Sequence, residues 1–314
     1  MRRHKTYLNL DPSDRGASVA MGNFDGVHLG HQSVIALARA AAAQDEAPLG
    51  IVTFEPHPRE YFAPAAPPFR LMNADTRAHR LEKLGIRQLY ELPFDAHLAG
   101  MSAAEFVNTV LADGLGLAHV VVGADFRFGR GRQGDAEMLR DLGAARGIRT
   151  TIAPLVTASG LDVSSTAIRE ALSAGRPDEA ARMLGHWHRI DGVVTKGDQR
   201  GRDLGFPTAN LRLDGLHLPR FGVYAVLFDV RTGAHKGSYL GAASLGIRPT
   251  FGVNAPNLET YVLDFGGDLY GAEVSVALVA FLRGEIAYEG PEPLIAQMHR
   301  DVAQARAAPA CNDR

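Results

Sequence analysis

Cysteine is almost absent: the single thiol, Cys311, lies in a polar C-terminal tail, which excludes a disulfide framework and suits a reducing compartment. No apolar run reaches the roughly 18–20 residues that a membrane span needs. An excess of either charge is missing as well, with 33 Lys and Arg against 35 Asp and Glu and a formal net charge of −2. That balance supports neither a nucleic-acid partner nor an anionic membrane surface, so any phosphate-binding cations must be gathered locally. The basic start Met1-Arg2-Arg3-His4-Lys5 is followed by Thr-Tyr-Leu-Asn-Leu-Asp-Pro, where a signal peptide would have its apolar stretch. A cytoplasmic enzyme is the expectation. Repeats, long low-complexity stretches and coiled-coil heptads are lacking too, and homo-oligomer formation is left open.

What is present suits two domains. At 314 residues the chain exceeds one ordinary core, and 46% apolar with 22% charged residues is the balance of a globular protein. Up to about residue 184, short β-branched runs alternate with helical segments. Strands are predicted at 17–21, 50–54, 88–91, 119–123 and 150–154, and helices at 31–43, 76–84, 135–146, 165–174 and 177–184. Ser102-Ala-Ala-Glu105 is a capping box opening a further helix, its Ser reaching the third helical amide and its Glu reaching back. This alternation predicts an α/β domain with a doubly wound parallel sheet over 1–185. Beyond it, runs rich in Val, Tyr and Phe (190–195, 222–230, 238–244, 259–265 and 274–283) are parted by Gly, Asp and Pro turns. They predict a small antiparallel β-barrel over 186–314. A helix at 291–308, with Leu294, Ile295, Met298, Val302 and Ala305 on one face, should cap that barrel.

Gly22-Asn23-Phe24-Asp25-Gly26-Val27-His28-Leu29-Gly30-His31 lies between the first strand and the first helix, where a parallel sheet presents its ligand crevice. Glycines there let the backbone approach a phosphate, and the helix start offers unpaired amides and a positive dipole end. His28 and His31 can both face a phosphate and stabilise charge developing on it. As zinc ligands they have no cysteine nearby, although Asp25 keeps a metal formally in play. Ser164-Ser165-Thr166-Ala167-Ile168-Arg169 opens a later helix. Alone it reads as an N-cap; with the first cluster it becomes a hydroxyl-and-guanidinium clamp for the outer phosphates of a nucleotide. Asp125-Phe126-Arg127-Phe128-Gly129 follows an inner strand, and its aromatics read equally as a packed loop or a platform for a flat ring.

In the second half, Gly192-Val-Val-Thr-Lys196-Gly197-Asp-Gln-Arg-Gly-Arg202 is a glycine-punctuated strand and loop. It is no ordinary P-loop, lacking the Gly-Lys-Ser/Thr ending and the helix behind it; alone it reads as a hairpin loop with surface charge. Leu204-Gly205-Phe206-Pro207-Thr208-Ala209-Asn210 follows. Thr208 and Asn210, two apart in extended chain, project to one face, where a hydroxyl and an amide oxygen can ligate a hard cation such as Mg²⁺. The plainer reading is a proline-started turn and a strand. Two triphosphate seats are expected, one over the parallel sheet and one inside the barrel.

These residues carry a resemblance. The histidine pair around Leu29-Gly30 and the later Ser-Ser-Thr…Arg resemble the signature of the nucleotidylyltransferase superfamily. Gly22-Asn-Phe-Asp-Gly-Val, Thr53-Phe54-Glu55-Pro56-His57-Pro58 and the Asp125–Gly129 loop are similar to its FMN adenylyltransferase branch. Pro207-Thr208-Ala209-Asn210 resembles the riboflavin kinase motif, and segments 221–225, 246–251, 258–260 and 268–271 follow in that family's order.

The resemblance implies that FMN attacks the α-phosphorus of ATP, with His28, His31 and Arg169 as catalytic groups. Gly22, Phe24, Asp25, Gly26, Gly30, Ser164, Ser165 and Thr166 are implied as nucleotide contacts, and Asp125, Phe126 and Phe128 as flavin contacts. Ala167 stands where many relatives of this type carry a basic residue, which leaves Arg169 alone to meet the phosphates. For the barrel the resemblance implies ATP-dependent phosphorylation of riboflavin, with Glu259 as general base and Thr208 and Asn210 on Mg²⁺. Gly192, Lys196, Gly197, Arg202, Phe206 and Pro207 are then implied at the nucleotide and Arg283 at the flavin. Ser244 departs from a usual Asn, and Arg283-Gly284-Glu285 keeps only part of the end-of-barrel pattern. The partners so implied are small molecules: ATP, riboflavin and FMN. A chain with one activity retained, or a flavin-sensing binder without turnover, would be the rival readings.

Overall fold

Val19-Ala20-Met21 is apolar on both faces, as a strand covered by helices on both sides must be, and the strand from Ser18 to Met21 is buried throughout. The computed structural model describes residues 1–158, 161–197, 201, 204–247 and 256–308. In chain order its first elements are β1 (Arg2–His4), β2 (Ser18–Met21), α1 (Leu29–Gln44), β3 (Leu49–Glu55), α2 (Pro58–Phe62), α3 (Ala74–Lys83) and β4 (Gln88–Pro93). After α4 (Ala96–Gly100), α5 (Ala103–Glu105) runs on as a π-helical stretch, Phe106–Gly114, and β5 (His119–Gly123) follows. Next come a small hairpin of β6 (Arg127–Phe128) and β7 (Gly134–Asp135), then α6 (Ala136–Ala144), β8 (Arg149–Ala153) and a second hairpin, β9 (Thr157–Ala158) with β10 (Leu161–Asp162).

The six long-range strands pair in the order β1-β4-β3-β2-β5-β8, parallel throughout. The chain builds from β2 outward through β3 and β4, then returns to β5 on the other side of β2. That reversal is a topological switch point, and it opens a crevice outside the carboxyl ends of β2 and β5. Val19, Met21, Val52, Phe54, Val120 and Val122 fill the layer beneath with Phe106, Val110 and Leu139; each contributes about 1.5–3 kcal/mol by leaving water. The Ser102–Glu105 capping box forms as expected, with Ser102 Oγ accepting from the Glu105 amide at 3.2 Å and Glu105 accepting from the Ser102 amide at 2.8 Å. Edge strand β1 was not expected. It is three residues long and basic, and carries no apolar period to read.

The later elements are α7 (Ser165–Ser173), α8 (Pro177–Leu184), β11 (Arg189–Val193), β12 (Thr208–Arg212), β13 (Gly222–Val230), β14 (Gly237–Ile247), β15 (Pro256–Val262), β16 (Glu273–Arg283) and α9 (Pro291–Ala307). The barrel strands pair antiparallel in the order β11-β16-β13-β14-β15-β12. A bridge between Thr195 and Asn210 joins the two ends of the sheet. The inside is filled by Ile190, Val194, Leu211, Tyr224, Phe228, Leu258 and Leu278 among others. Among the described residues the interior therefore leaves no triphosphate seat inside the barrel: the alternation sends the apolar side chains in and leaves Thr208, Asn210 and Glu259 on the outer face. Helix α9 packs on β13, β14 and β16, with Ala305 buried and Leu294, Ile295, Met298 and Val302 half-buried.

Two compact units result: Met1–Pro67 with Arg77–Val163, and Pro68–Thr76 with Ser164–Arg314. Helices α7 and α8 and the short excursion at 68–76 thus fold with the barrel.

Candidate active sites

Between β2 and α1 the backbone turns through three left-handed residues, Phe24 (φ 52°), Gly26 (φ 88°) and Val27 (φ 44°). A β-branched residue in that region is strained. Here Phe24, Asp25 and Val27 are all at most 3% exposed, so the surrounding packing over-determines the turn, as is common where geometry serves a ligand. Gly22 lies beside the Phe24 ring. The turn delivers His28 as the N-cap of α1, its Nδ1 accepting from the His31 amide at 3.3 Å. The two imidazoles stack with centroids 3.6 Å apart and planes 19° from parallel, and Phe24 leans on His31 at 5.1 Å. Gly30 makes room for this stack, because a Cβ there would sit 3.1 Å from the His28 ring. Burial, and then the nearby His28, hold His31 well below the ordinary imidazole value. His31 is thus neutral at pH 7, and its Nδ1 is buried with no hydrogen-bond partner among the described residues.

Beneath the turn lies an ion cluster that the sequence reading missed. Arg77, 1% exposed, donates from Nη2 to Glu55 Oε2 at 2.9 Å and to Glu91 Oε1 at 3.2 Å. Its Nη1 lies 3.4 Å from the Asn23 carbonyl, which also accepts from Thr53 Oγ1 at 3.3 Å. Arg3 meets the other oxygen of Glu91, from Nε at 2.9 Å and Nη2 at 2.8 Å. A signal was available: Glu91 stands in the otherwise apolar Leu-Tyr-Glu-Leu of β4, and a buried carboxylate requires a cation. On the neighbouring loop, His57 caps α2, its Nδ1 accepting from the Arg59 amide at 3.0 Å while Glu60 accepts from the His57 amide at 3.0 Å.

The loop after β5 flanks the same crevice. Phe126 and Phe128 stack at 5.8 Å, but they differ in kind: Phe128 is 7% exposed and packs on Phe106, whereas Phe126 is half-buried and Asp125 is exposed. An aromatic row continues through Phe106, Phe54 and Phe94 to Tyr61 and Phe62. Phe62 is 68% exposed. These rings come from segments far apart in sequence, which no spacing links.

Ser164–Arg169 belongs to the second unit. Ser164 caps α7, its Oγ accepting from the Ala167 amide at 3.2 Å, and Ser165 and Thr166 form the first turn. Arg169 Nε donates to the Phe69 carbonyl at 2.6 Å, with its guanidinium 5.2 Å from the centroid of the Phe69 ring. His217 Nε2 donates to the Arg169 carbonyl at 3.1 Å.

On the barrel, β12 and β15 place Asn210 directly opposite Glu259 and Thr208 opposite Tyr261, and β14 places Ser244 on the other side of Glu259. Ala209, Leu211, Leu258 and Val262 face inward, so Thr208, Asn210, Asn257 and Glu259 share the outer face. Asn210 is 5% exposed. Its Nδ2 donates to the Thr208 carbonyl at 3.2 Å, and its Oδ1 accepts from Asn257 Nδ2 at 2.9 Å. Gly197 is pressed onto this amide: a Cβ there would lie 2.6 Å from both Nδ2 and Oδ1. Gly192 is part of β11, and Lys196 Nζ stands 5.8 Å from the centroid of the Tyr270 ring. Phe206, 6% exposed, sits edge-on to Tyr261 and His299, while Pro207 is exposed. Arg202 lies outside the described residues, as does 248–251 of the Gly246 motif. Arg283 grips Asp301 from Nε at 2.9 Å and Nη2 at 2.7 Å, and its Nη1 donates to the Gly284 carbonyl at 3.0 Å. It ties β16 to α9. Among the described residues no group of three or more His, Cys, Asp or Glu could hold a metal.

A FAD synthetase family model matches residues 10–167, and a riboflavin kinase family model matches residues 184–308. The chain is 42% identical over 300 residues to a bifunctional riboflavin kinase/FMN adenylyltransferase of Pseudomonas fluorescens, covering 95% of each chain. It is 36% identical over 291 residues to the protein of that name from Escherichia coli (strain K12), covering 93% of this chain and 92% of the other. A crystal structure described as a macrolide-efflux protein of Streptococcus pneumoniae aligns with a TM-score of 0.82 at 30% identity, over 97% of this chain and 98% of that one. Among the described residues, no helix is long and apolar enough to cross a membrane.

Proposed function

The chain belongs to the family of bifunctional riboflavin kinases/FMN adenylyltransferases, and from that premise we propose which residues perform each reaction. It is a transferase of flavin coenzyme biosynthesis, phosphorylating riboflavin to FMN and adenylylating FMN to FAD, with ATP as donor in both. We assign adenylylation to 1–185 and phosphorylation to 186–314. Ser164–Ala167 lie within the FAD synthetase match although α7 folds with the second unit, so this boundary is one of chemistry.

In adenylylation an FMN phosphate oxygen attacks the α-phosphorus of ATP in line, one P–O bond forming as the bond to pyrophosphate breaks. Positioning and charge stabilisation carry such a step. His28 and the neutral His31 act on the transferring phosphate, and the turn of Gly22, Phe24, Asp25, Gly26 and Gly30 receives the nucleotide. Ser164, Ser165, Thr166 and Arg169 hold the departing pyrophosphate. Asp125, Phe126 and Phe128 seat the flavin, with Phe128 acting from within the core as the support of Phe126.

In phosphorylation Glu259 takes the proton of the ribityl hydroxyl as its oxygen attacks the γ-phosphorus and ADP leaves. Gly192, Lys196, Gly197, Arg202, Phe206 and Pro207 receive the nucleotide. Thr208 and Asn210 offer two neutral, hard oxygens on one face, which fits Mg²⁺ completed by phosphate and water. The ion would neutralise phosphate charge. Arg283 serves the flavin seat by fixing α9. One observation supports this reading above the rest: Asn210 and Glu259 are direct cross-strand partners on the same outer face. We place the work in the cytoplasm, on small molecules and with no nucleic-acid or membrane partner, in keeping with the balanced charge.

A timed product analysis with riboflavin, ATP and Mg²⁺ tests both halves together. FMN should appear first and FAD later. Failure to form FMN, or FMN that accumulates without FAD, would remove the corresponding half.

A further inference from the structure

We propose, resting on the assignment of Asn210 and Glu259 above, that Asn257 is a positioning residue of the kinase site. Its side-chain N–H group holds the Asn210 oxygen and the Glu259 carboxylate toward one point. Asn257 Nδ2 lies 2.9 Å from Asn210 Oδ1 and 3.5 Å from Glu259 Oε1. The strands make this arrangement available. Asn257 is two residues before Glu259 in β15 and so shares its face. Asn210 stands directly opposite Glu259, which makes Asn257 and Asn210 diagonal neighbours, within reach of one another across the pair.

The chemistry gives the contact a purpose. A side-chain amide can present either its oxygen or its nitrogen, and only its neighbours decide which. The Thr208 carbonyl is an acceptor only and takes the Asn210 N–H. The Asn257 N–H then fixes Oδ1 from the other side. Gly197, whose missing side chain leaves the amide its space, closes the third direction. An amide oxygen has two lone pairs, so one can accept from Asn257 while the other serves a cation. Two oxygens aimed at one locus repel each other until a cation arrives, and the N–H group of Asn257 offsets that repulsion meanwhile. Asn257 therefore orders the metal ligand and the base before substrate binds, without touching the transferred phosphate.

Asn257→Ala removes the donor, Asn257→Leu keeps a similar volume with no N–H and no charge, and Asn257→Thr keeps a hydroxyl donor. All three are made in the full chain, alongside Asn210→Ala and Glu259→Gln. Mn²⁺ binding in the presence of ADP, followed by water-proton relaxation, should weaken about 3- to 10-fold in Asn257→Ala and Asn257→Leu, the worth of one hydrogen bond. Riboflavin phosphorylation at saturating metal should lose kcat by a similar factor with KM for riboflavin unchanged. Asn257→Thr should recover most of both losses. Adenylylation of supplied FMN should stay within about twofold of the parent, which separates positioning from unfolding. Wild-type Mn²⁺·ADP affinity and kinase kcat in both Asn257→Ala and Asn257→Leu, with Asn210→Ala and Glu259→Gln inactive, would overturn the role of Asn257 alone. Normal phosphorylation by Asn210→Ala and Glu259→Gln would instead overturn the site assignment and the role of Asn257 with it. If Asn257→Ala loses both activities, Asn257→Thr decides: parent-like metal binding supports the role, and a weakening equal to that of Asn257→Leu ends it.

Discussion

Replacing Arg77 with Met should destabilise the first unit and slow adenylylation while leaving riboflavin phosphorylation intact. Met matches the length of the buried stem but carries neither the charge nor the donors. It leaves Glu91, with a side chain 2% exposed, to Arg3 alone, while Glu55, 35% exposed, can turn to water. Breaking a buried pair from one side costs about 3–5 kcal/mol. The surviving Arg3 contact offsets part of that, which brings this case down to about 2–4 kcal/mol. For a unit of this size that is a fall in Tm of about 6–12 °C in its own transition, readable by calorimetry. The Asn23 carbonyl loses its bond to Nη1, and with it one of the two donors that hold the turn ahead of His28. A displacement of about 1 Å at reacting groups can cost about 100-fold, so adenylylation kcat should fall by about 10- to 100-fold. Arg77→Met combined with Glu91→Leu should recover much of the stability, since an apolar pair can replace a buried ionic one, yet not the rate. A parent-like Tm in Arg77→Met, or an unchanged adenylylation rate, would refute the reasoning.

Glu259→Gln should still bind riboflavin and ADP but phosphorylate about 10²–10⁴-fold more slowly, with adenylylation of supplied FMN unaffected; near-native turnover would remove Glu259 as base. The His28→Ala/His31→Ala double variant should lose FAD formation by orders of magnitude and keep the kinase, and FAD made at the native rate would exclude both rings from catalysis. His188, 3% exposed, is pushed down to about 3 by burial and then by His217 and His186. It stays neutral in the fold but titrates near 6.5 once unfolded, so the unfolded chain binds the extra proton across that window and stability drops as pH falls from about 6.5 toward 3. The loss attributable to this ring is about 3 kcal/mol by pH 4. Urea unfolding should show a shallower acid slope in His188→Asn than in the parent, and equal slopes would assign the loss elsewhere.

The strands and helices were legible because each repeats its own period within a few residues. Ser18–Met21, the Ser102 capping box and the barrel strands all declare themselves locally. The side of the barrel that carries Thr208, Asn210, Asn257 and Glu259 was legible too, although the expectation placed a triphosphate inside. Thr208 and Asn210 alternate with Ala209 and Leu211, and Asn257 and Glu259 alternate with Leu258. An apolar interior must claim the second set, so the first must face out. Strand β1 gave no such pattern, since its pairing with β4 is made by backbone and its side chains are polar.

The sites divide in the same way. His28 and His31 lie within one turn of helix, so their spacing alone brings the rings together. Arg3, Arg77 and Glu91 are joined only by the fold. Sequence could say that Glu91 needs a cation, but not which of 33 Lys and Arg would supply it. Arg283 shows the reverse case, where a motif names a residue for the ligand and the fold also engages it elsewhere, in a tie to α9. Its Nε and Nη2 hold Asp301 and its Nη1 holds the Gly284 carbonyl, which occupies three of the five guanidinium N–H groups and leaves two for another acceptor. An Arg283→Lys variant separates the two roles. Lysine keeps the charge but cannot match the two-point contact, so if Arg283 acts through α9, the variant should lower the Tm of the second unit and weaken riboflavin binding together. Weakened binding with an unmoved Tm would put Arg283 on the flavin itself.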